Sequence, residues 1–202
     1  QLRFLSGTNG GRLDPVYSRQ EATMRWMCAT LMALASASAA SGQILWAGLA
    51  GGTSWTWQAP TAPNQNFLHN EGDASAAFLA LPLDEDTLVR LQVADVPYEP
   101  VYDGVGWPGK LRGYTVGVDY IFKGTFGQAL VSGGIGDYSL ELQAQHPPDG
   151  VEQWSFGWYV GVGEWFQLSR RWRLTAEVKM HRTQNYGNPI VVTATAGLAF
   201  AF

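Results

Sequence analysis

The chain is short of the features that build most enzymes. Its 202 residues include one cysteine, Cys28, which excludes an internal disulfide and a cysteine metal cluster. Charged residues make up only 15%, few for a soluble domain. Beyond the N-terminal region no apolar run is long enough to cross a bilayer as a helix. No phosphate-binding loop, nucleophile elbow or metal-ligand motif occurs. His69 and His146 lie too far apart in sequence to read as a metal pair, so neither metal nor cofactor is expected. Four of the 13 basic and two of the 17 acidic residues fall in the first 42, leaving a net charge of −6 on the rest, which gives no hint of nucleic-acid binding.

What the chain has in quantity is glycine, 24 residues, and tryptophan, nine. The apolar share is ordinary at 46%, yet hydropathy averages near zero, as it does when apolar and polar residues alternate. The length suits one domain. Residues 24–42 read as a signal peptide: Met24 and Arg25 form a short basic start, Trp26 to Ala35 an apolar core of about ten residues, and Ser36 to Ser41 a run of small residues suited to cleavage after Ala39 or Ala40. The alternative, a buried amphipathic helix, would end without a cap. Cys28 lies well before the cleavage sites rather than at one, which argues against a lipoprotein. Residues 1–23 read as a spurious or disordered leader with Met24 as the start, and 43–202 as the folded domain.

Eight strand-like runs follow, near 44–57, 74–83, 87–96, 111–122, 126–142, 152–168, 171–182 and 190–202. Their connections alternate in length. Those at 58–73, 97–110, 143–151 and 183–189 are longer and carry most of the prolines; Asp84-Glu85-Asp86, Lys123-Gly124-Thr125 and Ser169-Arg170 are tight. A meander of this kind with no helix between strands closes without leaving an edge. Gly51-Gly52 and Gly133-Gly134 blur the alternation and mark expected bulges.

The last run gives the faces. Ile190, Val192, Ala194, Ala196, Leu198, Phe200 and Phe202 share one parity; Val191, Thr193, Thr195, Gly197, Ala199 and Ala201 share the other. In 111–122, Tyr114, Val116, Val118, Tyr120 and Phe122 oppose Thr115, Gly117, Asp119 and Ile121. In 171–182, Trp172, Leu174, Ala176, Val178 and Met180 oppose Arg173, Thr175, Glu177, Lys179 and His181. A soluble barrel would turn the apolar face inward and a membrane barrel outward. The aromatics favour the membrane. Trp55, Trp57, Tyr114, Trp154 and Phe156 lie near the long connections, and Phe122, Phe126, Phe166, Trp172, Phe200 and Phe202 near the tight turns, the two belts expected of amphipathic rings at two interfaces. Glu164 shares a parity with Val160 and Val162, and a bulge near Gly163 would turn it inward.

Thr195, Gly197, Phe200 and the terminal Phe202 resemble the C-terminal β-signal of bacterial outer-membrane proteins. The stretch from Trp158 to Thr183, with its Gly-rich strand, Ser-x-x-Trp turn and Ala-Glu on the return, resembles the penultimate hairpin of small barrels of the OmpA/OmpX-type superfamily. The resemblance implies an all-β fold, an eight-stranded antiparallel up-and-down transmembrane β-barrel made as a signal-bearing precursor. It implies residence in the bacterial outer membrane, with membrane lipids, lipopolysaccharide and the barrel-assembly machinery as partners, and a monomer. The lumen of so narrow a barrel is filled by side chains. Asp119, Arg173, Glu177 and Lys179, joined by Arg90 and Gln92, are expected there as mutually paired charges, with Gly117, Gly161 and Gly197 making room. The expected role is non-enzymatic, structural or surface-interacting through the long connections. Two alternatives stand beside it. One is a narrow pore or small-molecule carrier. The other is a lipid-modifying enzyme: His181-Arg182-Thr183 is similar to the His-x-Ser of outer-membrane lipid A deacylases, although Thr183 replaces the Ser, no Glu follows residue 177, and His181 falls on the lumen parity, where it reads as a polar residue near the external rim.

Overall fold

The computed structural model describes residues 44–57, 68–102, 105–123, 127–143, 154–185 and 188–202. The expected leader and signal peptide, Phe126 and His146 lie outside these residues. The strands are β1 (Trp46–Trp57), β2 (Leu68–Pro82), β3 (Thr87–Tyr98), β4 (Val101–Tyr102), β5 (Val105–Gly106), β6 (Gly109–Lys123), β7 (Gln128–Leu142), β8 (Trp154–Gln167), β9 (Trp172–Thr183) and β10 (Ile190–Ala201). Eight of them form a closed barrel in the ring order β1-β10-β9-β8-β7-β6-β3-β2, while β4 and β5 make a two-stranded ribbon of their own. All neighbours are antiparallel, and β1 closes on β10 from Trp46↔Ala201 to Trp57↔Ile190.

The turns of one end are short and tied by their own polar groups. The Leu83 amide donates to the Thr87 carbonyl at 2.8 Å. Asp84 Oδ1 accepts from the Asp86 amide at 2.9 Å, a bond that holds the Asp84 carboxyl below its ordinary 3.8. Ser169 Oγ accepts from the amides of Arg171 and Trp172, the local capture that suits serine to turns.

Successive side chains point to opposite faces of a strand, and the alternation sorts the chain as its parity demands. Val116, Val118, Tyr120 and Phe122 of β6, Val160 and Val162 of β8, Leu174 and Val178 of β9 and Leu49 of β1 are exposed on the outer wall. A water-facing wall of that composition would be an unusually large apolar patch; against lipid it is the stable arrangement. The inner face has three layers. Toward the short turns Trp46, Phe78, Leu88, Ile121, Leu130 and Trp165 pack together. Toward the long connections Val96, Tyr98, Leu111, Tyr138, Leu140 and Val191 pack together, with Trp107 against them. Between these apolar plugs lie Arg90, Gln92, Asp119, Glu177, Lys179 and His181, all buried.

Three sequence expectations need correction. β2 begins at Leu68, inside the connection expected at 58–73, so His69 lies in a strand opposite Thr56 rather than in a loop. Leu68 to Asp73 lacks apolar alternation, and its pairing is set instead by a bulge: Ser54 faces Gly72 and Trp55 faces Asn70, so Glu71 is the extra residue. Gly72 has φ +113°, a backbone that costs L side chains energy and glycine little. Gly51-Gly52 and Gly133-Gly134, expected as bulges, lie in unbroken register. So does Gly163, opposite Glu177; with no bulge there, Glu164 stays on the outer wall. The connection expected at 97–110 is also shorter, because β3 runs to Tyr98 and β6 starts at Gly109.

Candidate functional site

The lumen charges come from three strands. β3 presents Arg90 and Gln92, β6 presents Asp119, and β9 presents Glu177 and Lys179, each on its inward parity. Arg90 is the hub. Its Nε donates to Asp119 Oδ2 at 2.7 Å, and its Nη1 to both Glu177 oxygens at 2.7 Å. Lys179 Nζ sits 2.6 Å from Glu177 Oε2 and donates to Gln92 Oε1 at 2.5 Å. The Trp165 indole N–H reaches Glu177 Oε1 at 3.4 Å. Two carboxylates therefore meet two cations in a buried enclosure, where an unpaired member would be costly. The plugs join in: the Arg90 guanidinium lies 4.5 Å from the Phe78 ring centroid, and Lys179 Nζ lies 5.3 Å from that of Tyr159, both within cation–π range.

Arg173 lies on the lumen side but outside the ion-pair network. Its guanidinium stacks 4.0 Å from the Trp46 ring centroid and 5.1 Å from that of Trp165, and the described residues give it no carboxylate partner. It sits four residues nearer the short-turn end than Glu177, in the aromatic plug, so the charge expected as part of the network caps tryptophans instead. The glycines divide similarly. A Cβ at Gly161 would lie 2.6 Å from Lys179 Cγ, and one at Gly117 would collide with the Tyr159 hydroxyl, so both give space to large lumen side chains. Gly197 instead lies against the β1 backbone at Leu49 and Ala50, serving the close approach of two strands.

His181 is buried, not at the rim. Tyr138 Oη lies 3.0 Å from its Nδ1, Thr193 Oγ1 lies 3.5 Å from its Nε2, and Tyr138 and Tyr159 flank the ring at 6.1 and 5.8 Å between centroids. Thr183 is buried on the same inner face. The pair similar to a deacylase motif thus faces the lumen, where a membrane lipid does not reach it.

Of the expected assembly signal, Thr195 and Gly197 take the inner parity of β10 and Phe200 and Phe202 the outer. Phe200 packs edge-to-face on Trp172 at 4.9 Å and on Phe202 at 5.1 Å, and the Phe202 amide donates to the Leu45 carbonyl at 2.9 Å. The aromatic pair at the end of the chain therefore sits on the seam between first and last strands.

One group of residues escaped the sequence reading. On the outer wall toward the long connections, Arg112 is bidentate to Asp95 at 2.6 and 2.8 Å, and Lys110 and Arg112 both approach Glu141. They lie just beyond the stacked pair Tyr114–Trp154, whose centroids are 5.6 Å apart. The signal was present: the outward parity of β3 and β6 changes from apolar to charged between Val93 and Asp95 and between Tyr114 and Arg112. That change marks where the wall leaves hydrocarbon.

No family model matches the chain, and no curated protein matches it. Among solved structures it is similar to Neisserial surface protein A, at TM-score 0.58 and 12% identity over 80% of this chain and 97% of that one. It is also similar to Ail, the attachment invasion locus protein of Yersinia pestis, at TM-score 0.50 and 13% identity over 79% of this chain and 99% of that one. Identity at that level speaks for the fold, and by closed topology, inverted faces and these likenesses alike the chain has the fold of a small eight-stranded outer-membrane β-barrel.

Proposed function

We propose that the protein is a non-enzymatic, non-conducting barrel of the bacterial outer membrane that serves through its outer surface and long connections, in a structural or surface-interaction role. The observation that carries this reading is the sealed lumen. Apolar plugs lie at both ends of a layer of paired charges, and the cavity beside Arg90, Glu177 and Lys179 has a volume of about 10 Å³, room for about one water and no column of them. The outer wall supports membrane lipids as its solvent. The charged band at Asp95, Lys110, Arg112 and Glu141 supports contact with lipopolysaccharide headgroups at the rim. The seam aromatics Phe200 and Phe202 support handling by the barrel-assembly machinery.

The test is paired. Outer-membrane fractions should contain a heat-modifiable species, migrating faster before boiling than after. The purified barrel should give no resolved current steps in planar bilayers. Regular single-channel steps would overturn the sealed-lumen reading in favour of a narrow pore, and a species found only in the soluble fraction would overturn the membrane reading altogether.

A further inference from the structure

Glu164 is out of place. It sits on the outer parity of β8 between Val162 and Phe166, opposite Ala129 on one side and Ala176 on the other. Among the described residues it has no ion pair and no hydrogen-bond partner. A carboxylate on the lipid-facing wall is unfavourable by an amount that depends on depth, and an ionisable group there is a reason to look for what compensates it. Its head leans toward the short-turn end: a Cβ at Gly127, beside the β6–β7 turn, would lie 2.6 Å from Glu164 Oε1. On a membrane-facing wall that lean carries the charge toward the interface at the short-turn end.

The wall beside it is hollow. A shallow groove of about 610 Å³ runs across β8, β9, β10 and β1, with Glu164 at one side and Val162, Ala176, Val178, Ala196 and Gly51 along it. The register places Glu164, Ala176, Ala196 and Gly51 directly abreast on four successive strands, so the depression is continuous. Its walls are mostly apolar, and the two charged residues that line it, Glu164 and Glu177, are both acidic; the Glu177 carboxylate is already taken up by Arg90 and Lys179, which leaves Glu164 as the free anion. The complement is an acyl chain attached to a cationic headgroup able to donate hydrogen bonds.

We propose that this groove is a specific site for a glycerophospholipid with an ethanolamine headgroup, one acyl chain lying along Ala176 and Ala196 and the ammonium donating to Glu164. The proposal rests on the membrane reading above and deepens it. The test uses the full chain folded into vesicles of equimolar phosphatidylethanolamine and phosphatidylglycerol, released in mild detergent and weighed intact by native mass spectrometry. The expected result is retention of phosphatidylethanolamine over phosphatidylglycerol by about fivefold, equivalent to about 1 kcal/mol. Glu164→Gln should remove the preference while some lipid stays bound. Ala176→Leu with Ala196→Leu should fill the groove and release both lipids. Heat-modified mobility of each variant verifies that the barrel is intact. Equal retention of the two lipids, a preference that survives Glu164→Gln, or a dimer in place of the lipid-bound monomer overturns the site while leaving the membrane reading standing. Failure of the unaltered chain to give a heat-modifiable species in vesicles overturns both.

Discussion

Replacing Arg90 with Met should be among the most damaging single changes in the lumen, and the structure says which partner suffers. Arg90 is fully buried and its removal leaves two carboxylates. Glu177 keeps Lys179 at 2.6 Å. Among the described residues Asp119 keeps no cation within ion-pair distance, since its salt bridge there is to Arg90. The loss is therefore mostly the cost of one uncompensated buried carboxylate, about 3–5 kcal/mol. That is a large part of the roughly 5–15 kcal/mol that holds a typical domain folded. Urea unfolding in vesicles, followed by tryptophan fluorescence and heat-modified mobility, reads the change. The decisive comparison is rescue. Asp119→Asn in the Arg90→Met background should recover most of the loss and Glu177→Gln should recover little, because Glu177→Gln strips Lys179 of its anion while leaving Asp119 exposed to the same fault. Arg112→Met, at the partly solvated rim, should cost no more than about 1 kcal/mol. A loss below that for Arg90→Met, or better rescue by Glu177→Gln, would refute the hub assignment.

Deleting Phe202 should lower the amount of heat-modifiable barrel in the outer membrane and raise periplasmic degradation; an unchanged yield would argue that the seam aromatics do not guide assembly. Intact mass of the membrane form should place its N-terminus between about Ala37 and Gln43, in the small-residue stretch, and a species that still carries Trp26 would sink the signal-peptide reading. Gly72→Ala should destabilise the barrel by about 1–3 kcal/mol through backbone strain at φ +113°, with a matching shift in the urea midpoint as the check. The Asp86 amide shift should titrate with the Asp84 carboxyl at a midpoint below 3.8: because the folded pKa is depressed, the bond contributes above the ordinary carboxyl range and is lost only as pH falls through the lowered value. A midpoint at or above 3.8 would show that the turn does not hold the carboxylate.

The wall was legible in the sequence because period two is a local signal and lipid enforces it along β6, β9 and β10. It failed where the signal is not local. Leu68 to Asp73 carries no alternation, and only its pairing with β1 through the Gly72 bulge makes it a strand. Parity alone puts Glu164 beside Val160 and Val162, and only the unbroken pairing of Gly163 with Leu130 and Glu177 shows that no bulge turns it inward. Parity puts Arg173 and Glu177 on one face but is blind to depth; four residues along β9 separate an ion-pair layer from a tryptophan layer. The aromatic plugs were hidden for the same reason. Trp46 and Trp165 lie on inward parities that the sequence reading did not follow, and their proximity, 6.0 Å between centroids, depends on ring closure.

The place of Arg90 in the ring has a mechanical consequence. In the ring order, β3 and β9 are four strands apart whichever way one counts, so Arg90–Glu177 and Gln92–Lys179 span the full bore, each joining residues 87 apart in the chain. Hoop-wise pairing fixes the circumference of a cylinder but does little to stop it flattening under lateral pressure. Spokes across the diameter do. They also cannot form until the first and last strands meet, since an open ribbon holds its opposite walls apart. The polar layer thus reports on closure: an unclosed sheet leaves Arg90 without Glu177 and Lys179 without Gln92, and the same contacts that keep the finished bore round make the half-rolled sheet unstable.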